Sequence, residues 1–223
     1  MEAQLQKCNS YFVMLCSEIA DRSVGSEGNR GASRYFERIV SSLGWESERQ
    51  EFTALDWIDG GASLRCAGAD FQVFVSPYAP GCEVEAQLIP IASIEELEGA
   101  NLTGKIVLLH GEIAREQLMP KNFVFYNPEE HQRIISLLEK GAPKAIMCAT
   151  GRNAALAGGV YPFPLIEDGD FEIPSVYMTE EEGSRLLLFA DANPGSTVLL
   201  KSMSTRLPGR GSSWGADRCP GAW

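Results

Sequence analysis

The stretch Leu102-Thr-Gly-Lys-Ile-Val-Leu-Leu constrains this chain more than any other. Ile106, Val107, Leu108 and Leu109 form an unbroken apolar run between turn signals. Gly104 and Lys105 stand before it, His110 and Gly111 after it. A run this short cannot make a helix core and reads as a strand buried on both faces. A sheet with two covered faces needs a layer on each side. Two similar units follow. Residues 127–138 read as a helix and 144–148 as a strand; 174–178 read as a strand and 180–190 as a helix. The alternation predicts a mixed α/β (α+β) domain, with residues 106–109, 145–148 and 175–178 in one β-core flanked by helices.

The helices carry their own start signals. Asn127, Pro128 and Glu130 are spaced as cap, first helical residue and capping-box partner, and Gly141 reads as the stop. Ser93 with Glu96, and Thr179 with Glu182, repeat the box. The acidic run Glu180, Glu181, Glu182 is explained by the positive end of a helix dipole.

Upstream, residues 3–20 read as an amphipathic helix with Leu5, Cys8, Phe12, Leu15, Cys16 and Ile19 on one face. A Gly- and Ser-rich loop follows at 22–29, then a helix with Ala32, Phe36, Ile39 and Leu43 on one face. Gly44 suits the left-handed position after it. Residues 45–52 read as a strand of low apolar content. Between 54 and 100 the chain is β-rich. Residues 63–66 and 71–75 flank Gly68 as a hairpin, and 83–90 alternate Val84, Ala86 and Leu88 with Glu83, Glu85 and Gln87. The domain organisation expected is 1–53 as an N-terminal helical unit, 54–205 as the α/β domain, and 206–223 as an irregular tail.

The 223 residues carry a net charge of −11, which argues against nucleic acid and anionic membrane surfaces as partners. Hydrophobic residues make up 44 %, enough for a packed core. No segment approaches the roughly 18 apolar residues of a membrane span. The apolar run at 11–16 is too short and too polar in its flanks for a signal peptide, so a cytoplasmic location is expected. The six cysteines (8, 16, 66, 82, 148, 219) form no CxxC and read as mostly buried thiols.

No active site is complete in these residues. His110 and His131 are the two histidines, and neither belongs to a metal-ligand spacing. His110 reads as a strand-end residue, and His131 as a surface or boundary helix position. No Gly-x-Ser-x-Gly is present. Gly25 and Gly28 do not make a phosphate loop. Glu167, Asp168 and Asp170 fit no EF-hand spacing. Residues 151–171 read as a long Gly- and Pro-rich loop with Tyr161 and Phe163, either packed on its own domain or serving as a contact surface or lid.

Two stretches together carry a resemblance. Arg22-Ser-Val-Gly-Ser-Glu-Gly-Asn29, followed by a helix and Leu43-Gly44-Trp45, resembles the opening of di-zinc aminopeptidases of the glutamate carboxypeptidase-like kind. Residues 54–200 resemble the protease-associated (PA) domain that many members carry next. The matching parts are the Leu102 stretch, Gly141-Ala142 before the strand at Ala145, and Ile173-Pro-Ser-Val before Thr179. The resemblance implies the N-terminal part of a zinc exopeptidase, with the PA domain as a substrate-access or protein-interaction module.

The family's zinc ligands lie beyond the PA domain and include a His-x-Asp motif, which this sequence lacks. No catalytic, cofactor or metal residue is therefore assigned, and no zinc is expected in this chain. The alternative is a stand-alone PA-like module that binds protein or peptide. Residues 211–223 lack periodicity and are expected to be poorly ordered; GC-rich codons for them can hide a family-like strand start in another reading frame. The apolar faces of residues 1–52 are expected to be covered by a second copy, as a homodimer, or by the PA-like region.

Overall fold

The computed structural model describes residues 2–19, 21–121, 123–150 and 171–218, the last seven of these by backbone alone. The chain divides into two compact units. One is made of the residues up to Trp57 with those from Leu207 onward; the other is Ile58–Arg206.

In the first unit α1 (Glu2–Val13) leads into a π-helical turn, Met14–Glu18. Helix α2 (Glu27–Ser42) begins earlier than its apolar pattern, because Ser26 accepts the Asn29 N–H and caps it. Gly44 ends it at φ 79°. Neither helix has a fully buried residue, and Leu5, Phe12 and Phe36 are exposed. Strand β1 (Trp45–Ile58) is longer than the pattern suggests. It pairs with β10 (Thr205–Arg218) in a two-stranded ribbon. The expected irregular tail is thus strand as far as Arg218; its order comes from a partner strand far away in sequence, which local periodicity does not report.

The second unit holds an eight-stranded sheet. Its strands are β2 (Ala62–Cys66), β3 (Ala69–Phe71), β4 (Phe74–Val75), β5 (Cys82–Ile91), β6 (Ile106–Leu109), β7 (Ala145–Thr150), β8 (Ser175–Thr179) and β9 (Thr197–Ser202). The spatial order is β3-β2-β9-β5-β6-β7-β8-β4. Strands β5 to β8 are parallel, and the pairs on either side of that block are antiparallel. The fold class read from the sequence is the one observed, with all three apolar strands side by side.

Residues of β6 and β7 alternate between two cores. Val107, Leu109, Ile146 and Cys148 face α3 (Ile94–Gly99) and α4 (Glu129–Gly141). Ile106, Leu108, Ala145 and Met147 face the other way, where Leu186 of α5 (Glu180–Ala192) and Leu64, Phe71, Val198 and Leu200 meet them. The antiparallel half of the sheet therefore closes over the second face of the parallel half. All four β6 residues are 0–1 % exposed. Each such side chain contributes about 1.5–3 kcal/mol on burial.

Three local expectations change. The run 71–75 is not one strand: β3 pairs with β2 through a turn at Ala67 and Gly68, both at positive φ, whereas β4 crosses to the opposite edge and pairs with β8. At α4, Pro128 occupies the cap position and Asn127 makes no cap bond; its Nδ2 donates to Lys121 O, and its buried Oδ1 has no partner among the described residues. That helix ends on Ala142 in the left-handed conformation, and Gly141 is demanded instead by packing, since a Cβ there would lie 2.6 Å from Leu102 Cδ1. The Ser93 and Thr179 caps form, accepting from Glu96 and Glu182 N–H.

Among the described cysteines only Cys66 and Cys148 are buried, and Cys8 and Cys16 are exposed. They lie on α1 and the π-helical turn.

Candidate functional site

The parallel strands β5 and β6 end at Ile91 and Leu109. In open α/β sheets the carboxyl edge is where ligands collect, because the chain leaves each strand there and the next helix begins. Three such starts meet at this edge: α3 after Ser93, the 3-10 turn Gly111–Ala114 after β6, and α4 at Glu129. Two hollows of about 310 and 410 Å³ open between them, with Glu112, Ile113 and Glu130 in both walls. The first is completed by His131, Tyr126 and Arg115, the second by Glu95, Glu129 and Arg133.

The groove is acidic. Glu112, Glu129 and Glu130 have no ion pair among the described residues. Arg133 is already held by Glu98, its Nε 2.7 Å from Oε1. Arg115 is the opposing charge on this wall without such a partner among the described residues. The Glu95 carboxyl is held below the usual range, first by its own backbone N–H, then by the Ser93 hydroxyl and the nearby Arg133 charge.

His131, expected at a surface or boundary position of the helix, is 8 % exposed and lines the groove. The loop before α4 folds over the helix and brings Met119 N–H to 3.1 Å from its Nδ1. With Nδ1 accepting, the neutral ring carries its proton on Nε2, which has no partner among the described residues. His110 lies at the end of β6, its N–H donating to Ile91 O at 3.0 Å, and it precedes the 3-10 turn. The structure does not bring the two histidines into one ligand set.

Beside the groove, Phe123, Val124, Phe125 and Tyr126 stand on the surface, with Val124 84 % and Phe125 88 % exposed. Phe123 and Phe125 meet edge to face at 6.0 Å. Sequence reasoning did not assemble this surface. Its one local signal was an apolar run of four in a loop.

The opening loop at 22–29 is held internally. Asp21 accepts from Ser23 N–H and hydroxyl, and Arg30 donates to Gly25 O at 2.7 Å. Glu167, Asp168, Asp170 and most of the 151–171 loop lie outside the described residues. Among the described residues no group of three or more His, Cys, Asp and Glu could hold a metal ion. They therefore do not fit a two-zinc centre, and no catalytic step is derived from them.

No family model and no curated protein matches the sequence. Solved structures do match in three dimensions. An aminopeptidase from Aneurinibacillus sp. superposes with a TM-score of 0.66 and 21 % identity, over 94 % of this chain and 46 % of its own. A peptidase precursor from Shewanella amazonensis gives 0.62 and 16 %, over 96 % and 52 %. BSAP, a zinc aminopeptidase from Bacillus subtilis, gives 0.61 and 16 %, over 96 % and 47 %. This chain spans about half the length of these proteins, and over that span it has their fold.

Proposed function

We propose that this chain is the N-terminal part of a zinc-dependent, aminopeptidase-like exopeptidase. On this reading the unit Ile58–Arg206 is a PA-like domain serving substrate access or protein interaction, and the chain by itself is not catalytic. The observation that carries the reading is the superposition, through nearly the whole chain, on about half of proteins described as aminopeptidases. The opening loop and the Leu102 stretch support it independently, from sequence. A second reading, a stand-alone PA-like module that binds protein or peptide, is favoured by the acidic groove with aromatic side chains beside it.

Peptide hydrolysis by a two-zinc route needs metal to polarise the carbonyl and to acidify the attacking water. It also needs a carboxylate as general base. Purified in chelator-free buffer, the 223-residue chain is expected to hold no stoichiometric zinc and to leave aminoacyl-p-nitroanilides intact, with or without added zinc. Two bound zinc ions per chain and turnover abolished by chelator would overturn the proposal.

A further inference from the structure

We infer that the groove at the start of α4, together with the aromatic loop 123–126, binds an extended basic polypeptide segment in which an apolar side chain neighbours a Lys or Arg. The inference rests on the interaction-module reading of this unit and names its ligand.

Three observations converge. The first is charge: Glu95, Glu112, Glu129 and Glu130 line the groove, against Arg115 and an Arg133 already neutralised by Glu98. Helix dipoles account for carboxylates in a first turn. They do not account for the second observation, the nine-tenths-buried His131, whose Nδ1 is occupied by Met119 N–H and whose remaining polar atom, Nε2, is left as a donor. A donor in a groove wall suits a peptide carbonyl. The third is the apolar ledge of Phe123, Val124, Phe125 and Tyr126, the last of which lines the groove itself.

An extended basic segment satisfies all three at once. Its carbonyl accepts from His131, its cation sits among Glu112, Glu129 and Glu130, and its apolar side chain covers Phe125. A metal ion alone leaves the ledge and the imidazole N–H unused. Nucleic acid is repelled by the carboxylates.

The test is ¹⁵N-resolved titration of the full chain with three blocked peptides of equal length that alternate Leu with Lys, Glu or Ser. The expected result is that the Lys peptide binds and shifts the amides of Glu112, His131 and Phe125. Its affinity should fall about tenfold in Glu112→Gln/Glu130→Gln and in Phe125→Ser, and also with added salt. The substituted positions Glu112, Phe125 and Glu130 are exposed, so an unchanged spectrum of the free variants certifies the fold. Binding of the Lys peptide away from the groove, equal binding of the Glu peptide, or unchanged affinity in the variants would overturn the groove assignment and leave an interaction role for the unit standing. If none of the three peptides binds, both the groove and the interaction-module reading fall.

Discussion

Gly183 is the fourth residue of α5 and sits where that helix presses on β7. A Cβ built on it would lie 2.4 Å from Ala149 Cβ and 3.7 Å from Met178 Sδ. Carbon atoms rest at about 3.5–4.0 Å, so Gly183→Ala forces a separation of roughly 1.1–1.6 Å. Ala149 cannot yield. It is 3 % exposed and belongs to a strand paired on both sides. Helix α5 has to move instead, lifting the fully buried Leu186 and straining the Thr179 cap at 3.1 Å. Overpacking of this kind costs about 1–3 kcal/mol. Alanine in place of glycine inside a helix returns about 0.8–1.0 kcal/mol. The net expectation is a loss of up to about 2 kcal/mol, or up to about 8 °C in melting temperature for a chain of this size. Thermal and urea unfolding followed by circular dichroism measure it. Ala149→Gly removes the opposing methyl, so the double variant should be more stable than the sum of the single changes by about 1–3 kcal/mol. Single effects that simply add in the double variant would refute the close helix–sheet approach.

Other consequences follow from the second unit and from the thiols. Arg206 donates from Nε to Tyr78 O at 2.6 Å and from Nη2 to Phe171 O at 2.5 Å, so Arg206→Ala should cost about 2–3 kcal/mol in urea unfolding, and Arg206→Lys should recover only part, because one ammonium cannot reproduce the fork. The Glu182 carboxyl is held below its ordinary value of 4.5, chiefly by Arg185, so its stabilisation is complete above that value and is lost as pH falls through the lower, folded one. Glu182→Gln should therefore be less stable than the parent at neutral pH, with the gap closing on acidification below about pH 4.5; a gap independent of pH would contradict the pairing. Burial pushes the Cys148 thiol well above its usual range, so peptide mapping after brief alkylation of the native chain should find Cys8 and Cys16 modified and Cys148 intact until denaturant is added.

The features legible in sequence were those whose cause lies within a few residues. Four apolar side chains between turn signals had to be a strand with both faces covered, and Ile106, Val107, Leu108 and Leu109 are that strand. The Ser93 and Thr179 hydroxyls had an amide three residues ahead to accept from, and both do so. The turn at Gly68 was readable because a tight hairpin needs positive φ.

The candidate groove was legible only as separate pieces. Glu130 was visible as a helix-start residue and His131 as a helical position, while Tyr126 carried no reading. Only the fold puts Glu95, Glu112 and Glu130 into one pair of hollows, because the parallel strands bring successive crossover connections to the same edge. The burial of His131 depends on Met119 folding back over α4.

Strand choice belongs to the same class. Residues 71–75 read as one strand in sequence, yet they are split between opposite edges of the sheet, and residues 205–218 show no strand pattern until β1 lies beside them. Backbone hydrogen bonding between strands is blind to side-chain periodicity along either strand. It is satisfied by whichever partner the rest of the chain brings within reach, and that is decided by tertiary structure alone.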